Sequence, residues 1–314
     1  MWFWLSLITL LFWSGSDLFS KIGCRDADDK YSHLKMVIAV GVVMGLHACY
    51  QIFVNNTIIN FQIIWVYLPV SLLYIISMAM GYVGLRYIEL SISSPICNSS
   101  GALVAVITLL TVGRGGYSPL AIGAVALVCI GAIGLGVVDH FEDEELRAER
   151  QKASNYKYAK SFMALAMPVA YCILDAAGTF ADNFAIAKIN QLMSLPIDSD
   201  IGAGSANVAY ELTFLFAAFL CFIYVVVIKR QRLIPRREIP KYTGAIFETI
   251  GQFCYIFAIS DTEHLAMSAP IISSYCAASV LWGRILLKEK LSWKHYAMIA
   301  LVVAGIFIMG IFDV

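Results

Sequence analysis

The stretch Leu265-Ala266-Met267-Ser268-Ala269-Pro270-Ile271-Ile272-Ser273-Ser274 opens an apolar run that ends near Leu287. A basic link follows, Lys288-Glu289-Lys290-Leu291-Ser292-Trp293-Lys294, and then a second apolar run that carries Gly305 and Gly310 and ends at Phe312. The same plan occurs earlier in the chain. Ser93-Ser94-Pro95 opens one apolar run, Arg114-Gly115-Gly116-Tyr117-Ser118 links it to the next, and that next run carries Gly131 and Gly134. Pro95 falls opposite Pro270, Ser118 opposite Ser292, Gly131 opposite Gly305 and Asp139 opposite Asp313. A single recurrence at about 175 residues, in a chain of 314, means two copies of one half and not a solenoid.

Composition sets the class. Hydrophobic residues make up 60% of the chain and charged residues 14%, with a mean hydropathy of +0.76. Soluble domains are usually about 45–50% apolar and about 25% charged. Ten apolar segments are expected, at about 2–21, 35–54, 63–85, 92–112, 118–138, 161–187, 205–228, 242–260, 265–287 and 294–312. Each is about 18–25 residues, the length that crosses a bilayer core as helix. Backbone polar groups cannot stay unpaired in lipid, so helices are the expected form. The expected fold is therefore an all-α polytopic membrane protein, with ten transmembrane helices in two five-helix halves. These are residues 1–139 and 161–314, joined by a charged cytoplasmic linker at 140–160.

The net charge is zero, and no basic arm interleaved with aromatics suggests a nucleic-acid partner. The eight cysteines are scattered through the apolar runs without a Cys-x-x-Cys pair, which reads as small packing residues. No cofactor or metal motif is present. Gly131-Ala132-Ile133-Gly134-Leu135-Gly136 lies inside an apolar helix with no strand before it, so it reads as helix packing and not as a nucleotide loop. Met1-Trp2-Phe3-Trp4 lacks a basic lead and a cleavage site, and reads as a retained first helix.

Of the 22 Lys and Arg residues, twenty lie in links after odd-numbered segments or at the adjoining helix ends. Only Arg114 and Lys188 fall in links after even-numbered ones. The positive-inside bias then places the odd links in the cytoplasm, both termini outside, and Trp2 and Trp4 in the outer interface. The compartment expected is the plasma membrane, in a bacterium the inner membrane. Five helices per half is an odd number, so the second half enters the membrane in the opposite sense. Such inverted repeats carry sites near the bilayer midplane.

The proline-led fourth and ninth segments, the two five-segment halves and the link Leu287-Lys288-Glu289-Lys290-Leu291-Ser292 resemble the EamA-type transporters of the drug/metabolite transporter superfamily. The resemblance is strongest from Tyr255 to Met309 and clear from Gly81 to Gly136. It implies two EamA-like repeats around a central cavity and carriage of small metabolites, by export in many relatives. Two features depart from the family pattern. Arg114-Gly115-Gly116 has no counterpart of Glu289, and relatives are drawn with cytoplasmic termini.

Ionisable groups inside spanning helices cost about 2.5–3.5 kcal/mol or more and should face the bundle interior. Tyr171, Asp175, Thr179 and Asp182 lie one and two turns apart on one stripe of the sixth segment. Asp175 falls mid-span and suits a proton site or a cation ligand. Asp182 lies nearer the outer end, in a vestibule position. In the first segment, Trp13 shares a face with Asp17, which can pair with Lys21 one turn on, while Lys21 snorkels. Glu211 in the seventh segment, and Glu248 with Gln252 in the eighth, are further cavity candidates; pairing of Glu248 with Lys241 or Arg284 is the alternative. His47 reads as a satisfied hydrogen-bonding residue. Asn98 and Ser273 follow the two prolines and mark hinges or cavity walls.

The function expected is a secondary active transporter of a small polar, cationic or zwitterionic metabolite, by alternating access, with protons as the candidate coupling ion. The alternative is a non-transporting membrane scaffold or assembly subunit. The absence of any catalytic constellation argues against an enzyme. The partners expected are the lipid bilayer, a small-molecule substrate and protons, in a monomer or homodimer.

Overall fold

The computed structural model describes residues 1–25, 29–87, 90–111, 118–140, 162–196, 199–289 and 291–312. Lys290, most of the linker expected at 140–160, and the link from Arg114 to Tyr117 lie outside them. The described residues form helices and turns with no strand. The helices are α1 Trp2–Cys24, α2 Ser32–Phe53, α3 Phe61–Tyr87, α4 Leu90–Cys97, α5 Ser100–Thr111 and α6 Pro119–His140 in the first half. The second half has α7 Phe162–Leu192, α8 Asp200–Phe222, α9 Pro235–Ile259, α10 Leu265–Ser273, α11 Tyr275–Leu286 and α12 Trp293–Phe312. Helix α8 runs on through a wider π turn at Ile223–Ile228.

Seven of these spans are long and apolar enough to cross a membrane by length and composition: α1, α2, α3, α4 with α5, α6, α8 with its π turn, and α10 with α11. Trp293–Met309 is apolar but shorter. Helices α7 and α9 fall outside that set, and they hold the polar residues Asp175, Asp182, Glu248 and Gln252. Large apolar side chains such as Leu11, Leu46, Trp65, Leu110 and Phe307 are exposed around the bundle. A monomer in water does not carry apolar surface on that scale.

The apolar segments at 92–112 and 265–287 are each broken in two. Both breaks follow a proline, and at both a side chain competes for the helix's own carbonyls. Ser99 Oγ donates to the Pro95 carbonyl at 2.9 Å, and Asn98 Nδ2 to the Ser94 carbonyl at 2.8 Å. Ser274 Oγ donates to the Ile271 carbonyl at 2.5 Å. The Ser99 hydroxyl thus takes the Pro95 carbonyl, whose usual amide partner has turned to Ile96, while the Ser94 and Ile271 carbonyls accept a side chain in addition to a backbone amide; such back-bonding bends helices. Asn98, expected at a hinge or a cavity wall, folds its amide onto its own helix at the break.

The most extensive helix pairings are α1 with α9, α3 with α7, α2 with α8, and α6 with α12. Each is antiparallel. Along α1 and α9, Thr9 Oγ1 reaches the Gly251 carbonyl at one end, and Gly23 packs on Lys241 at the other. Along α3 and α7, Tyr67 meets Asp182 and Gly84 meets Pro168. The pairing is reciprocal: α1, the first helix, lies along α9, and α7, the first helix described after the linker, lies along α3. Helix α8 is N-capped by Ser199, whose side chain accepts from the Ile201 amide at 3.4 Å. The eight cysteines are unpaired, four of them buried. Trp2 is buried and stacks on His264 with centroids 4.9 Å apart, so of the two tryptophans expected at the interface only Trp4 is exposed.

At the α6–α12 crossing, close approach requires glycine on both sides. A Cβ on Gly305 would lie 2.6 Å from the Ala124 carbonyl oxygen, and one on Gly131 would lie 2.7 Å from that of Met298. Backbone cannot yield as a flexible side chain can, so Gly305→Val should separate the pair. The expected cost is about 1–3 kcal/mol, read as a lower thermal unfolding midpoint of the purified protein in detergent. An unchanged midpoint would contradict this contact.

Candidate functional site

A cleft lies at the centre of the bundle, where α1, α3, α4, α7 and α9 converge. Helical spacing brings Trp13, Ser16, Asp17 and Ser20 of α1 to it, together with Tyr74, Met78, Gly81, Tyr82 and Leu85 of α3. Tyr171 and Asp175 enter from α7, Glu248 and Gln252 from α9, Ser94 and Cys97 from α4. Tyr210 of α8 and Tyr275 at the start of α11 complete the wall. The cleft is narrow, with a volume of about 50 Å³. That holds a few waters at most, so a metabolite requires the walls to part.

The wall carries three carboxyl groups, Asp17, Asp175 and Glu248, and none of the described residues lining it is Lys, Arg or His. Hydroxyls take the place of basic partners. Asp17 Oδ2 accepts from Ser94 Oγ at 2.5 Å and from Ser279 Oγ at 3.0 Å. Asp175 Oδ2 accepts from Ser100 Oγ at 2.7 Å. Ser16 bonds Glu248. Ser94 and Ser100 flank the α4–α5 break, so one broken segment holds both aspartates, one from each half of the chain.

The remaining wall is aromatic. Trp13 packs against Gly251, tilted onto Tyr255 at 4.9 Å between centroids and edge-on to Tyr275 at 5.8 Å. Four polar atoms of lining residues are buried without a protein partner: Trp13 Nε1, Ser20 Oγ, Tyr82 Oη and Gln252 Nε2. Buried polar groups are normally satisfied, so these atoms are available to whatever occupies the cleft.

Of the residues singled out in the sequence, Trp13, Asp17, Tyr171, Asp175, Glu248 and Gln252 thus share one cavity. Thr179, Glu211, Asn98 and Ser273 do not line it. Glu211 is fully buried between α8 and α2, where Oε1 accepts from His47 Nδ1 at 2.7 Å and from Asn207 Nδ2 at 2.9 Å. His47 is therefore a bonded partner, as the sequence suggested. Its neighbour Tyr210 takes the cavity position expected of Glu211. Ser273 packs against Gly101, where α10 crosses α5. Lys21 does not snorkel: it is buried and its Nζ donates to the Leu85 carbonyl at 2.7 Å, while Asp17 bonds the two serines.

Asp182 is not in a vestibule. It is fully buried and takes phenol hydroxyls from Tyr67, Tyr74 and Tyr255, the last two at 2.5 and 3.2 Å. Thr179 joins the same cluster through Tyr74 and Tyr255. At the opposite end of the bundle, Lys35 Nζ lies 2.9 Å from Asp29 Oδ2 and 3.6 Å from Glu238, and Lys241 Nζ lies 3.0 Å from Glu238. These four charges are buried and balance two against two. Neither the phenol cluster nor the ionic one is recognisable in the sequence, because each joins residues from distant segments.

Residues 207–311 match the model of the EamA-like transporter family, which bears out the resemblance to the EamA type of the drug/metabolite transporter superfamily. The match takes in Tyr210, Glu248, Gln252 and Tyr275 of the cavity wall. A solved crystal structure, described only as that of a protein, superposes on 98% of this chain and 96% of its own with a TM-score of 0.62 and 12% identity. It shares the fold. No curated protein matches the chain. The apolar helices fit a multi-pass membrane protein, and over the matched third of the chain the sequence is similar to transporters of the drug/metabolite kind.

The ionic cluster yields a stability test. Removing one member of a buried pair strands its partner and costs about 3–5 kcal/mol. Lys241→Met is expected to lose that much in chemical unfolding, whereas Lys188→Met, which alters an exposed bond to Gln191, should change little. Equal midpoints for the two variants would show the cluster to be dispensable.

Proposed function

We propose that the protein is a secondary active transporter of a small cationic or zwitterionic organic metabolite, working by alternating access between ten spanning segments in two inverted halves. The observation that carries the substrate class is the cavity wall: three carboxyl groups, no basic side chain among the described residues, and Trp13 with five tyrosines. An ammonium group is attracted both to carboxylates and to aromatic faces. The unpartnered donors Trp13 Nε1 and Gln252 Nε2 suit an acceptor elsewhere on the same molecule. A phosphorylated substrate would meet only negative charge.

The reciprocal pairing of α1 with α9 and of α3 with α7 supports the inverted repeat, since exchanging the halves turns one pair into the other. The two broken segments occupy matching places in each half, as midplane sites in such carriers do. Both halves contribute an acid to the cleft, so their relative motion alters the site directly. Proton exchange at these acids is the coupling reaction proposed. The positive-inside bias puts the end bearing Lys35, Glu238 and Lys241 in the cytoplasm and both termini outside.

The test is uptake of a panel of amines and amino acids by proteoliposomes holding the purified protein, after a thermal-shift screen of the same compounds. Asp175→Asn should weaken the responding compound by about 10- to 100-fold, the value of one charge-assisted hydrogen bond, with expression unchanged. Full activity in Asp175→Asn, or no flux of any amine, would reject the assignment. A fluorescent reporter fused at Val314 should stay dark in the cytoplasm; a bright fusion would reverse the orientation.

A further inference from the structure

We propose that Asp182, with the hydroxyls of Tyr67, Tyr74, Tyr255 and Thr179, forms a proton-binding site separate from the cavity in which the substrate binds. The proposal rests on the transport reading only in giving the proton a use; the site itself stands on the hydrogen-bond geometry.

Six oxygen–oxygen contacts connect the cluster. Asp182 Oδ1 meets Tyr67, and Oδ2 meets Tyr74 at 2.5 Å and Tyr255 at 3.2 Å. The Tyr74 hydroxyl also meets Tyr255 at 2.6 Å and Thr179 at 3.2 Å, and Tyr255 meets Thr179 at 3.0 Å. The four hydroxyls own four protons. With the carboxyl ionised, two of the six contacts hold no proton and set lone pairs against each other. A fifth proton on the carboxyl fills one of them and forces no two donors together. The cluster is therefore built to hold either four protons or five.

Among the described residues, the surroundings offer no other counter-charge. Of the helices packed on α7, α3 brings Tyr67 and Tyr74, and α9 brings Tyr255. Helix α8 brings Tyr210, with Glu211 next in the chain but already bonded to His47. On α7 itself, Asp175 lies two turns away and bonds Ser100 of α5, and Cys97 of α4 bonds Ser93 of its own helix. No Lys, Arg or His among the described residues forms an ion pair with Asp182. A buried carboxylate would otherwise be expected to carry a paired cation.

The route to the site is Tyr74, which lines the cavity and bonds Asp182. Hydronium in the cavity gives a proton to Tyr74 Oη as the proton already on that oxygen passes to Asp182 Oδ2. Hydronium leaves as water, Tyr74 keeps one proton, and Asp182 gains one. Release runs the same hops backward.

Infrared difference spectra of the purified full-length protein, titrated between about pH 4 and pH 9, test this without any substrate. The carbonyl stretch of a protonated carboxyl should come and go over that range, with one component missing from Asp182→Asn but present in Asp17→Asn, Asp175→Asn and Glu248→Gln. Tyr74→Phe should displace the midpoint of that component and slow its equilibration. A spectrum of Asp182→Asn identical to the parent would overturn the proposal, as would an unmoved component in both Tyr74→Phe and Tyr255→Phe. The two phenylalanine variants keep the test decisive if Asp182→Asn does not fold. Since the titration reads the proton alone, absent amine flux would count against the transport reading and leave this result intact.

Discussion

A carboxyl group inside an apolar helical bundle must find donors, and here the donors are neutral. Asp17, Asp175, Glu248 and Asp182 are each held by serine or tyrosine hydroxyls. The choice has a chemical consequence. An ion pair with lysine would cancel the charge and lock two helices, whereas a hydroxyl satisfies the oxygen and leaves its charge available to a ligand. The ion pairs among Asp29, Lys35, Glu238 and Lys241 lie at one end of the bundle, away from the cleft.

The two helix breaks serve this arrangement. Once Ser99 and Asn98 bond back to their own carbonyls, the helix turns, and Ser94 and Ser100 face different neighbours. A straight helix would place these residues six positions apart, nearly two turns along its axis. Broken, the segment reaches Asp17 with one end and Asp175 with the other. The sequence repeat at the two prolines is thus tied to the chemistry of the site through helix geometry.

Much of this was legible in the residues. The proline-led segments, the stripe through Tyr171, Asp175, Thr179 and Asp182, and the pairing of Glu248 with Gln252 on one face all follow from helical period. Period gives the face of a helix but not what lies across from it. Glu211 looked equivalent to Glu248 by that measure. His47, 164 residues away, decides the difference by binding Glu211. Lys35 and Lys241 counted with the basic links, and Lys241 stood as an alternative partner for Glu248; only the fold brings Asp29 and Glu238 to them. The tyrosines around Asp182 left no sign of their role, because an aromatic in an apolar run packs equally well without a partner for its hydroxyl.

The crossing at Gly131 and Gly305 joins the last helix of the first half to the last helix of the chain. During synthesis the Gly131 face of α6 is made long before its partner exists. It must wait in the membrane through the insertion of the whole second half. Until α12 arrives, that narrow face is open to lipid or to another small-residue helix. A chain that stops short of α12 leaves the Gly131 face of α6 without its partner, while the pairings of α1 with α9, α3 with α7 and α2 with α8 still join the halves.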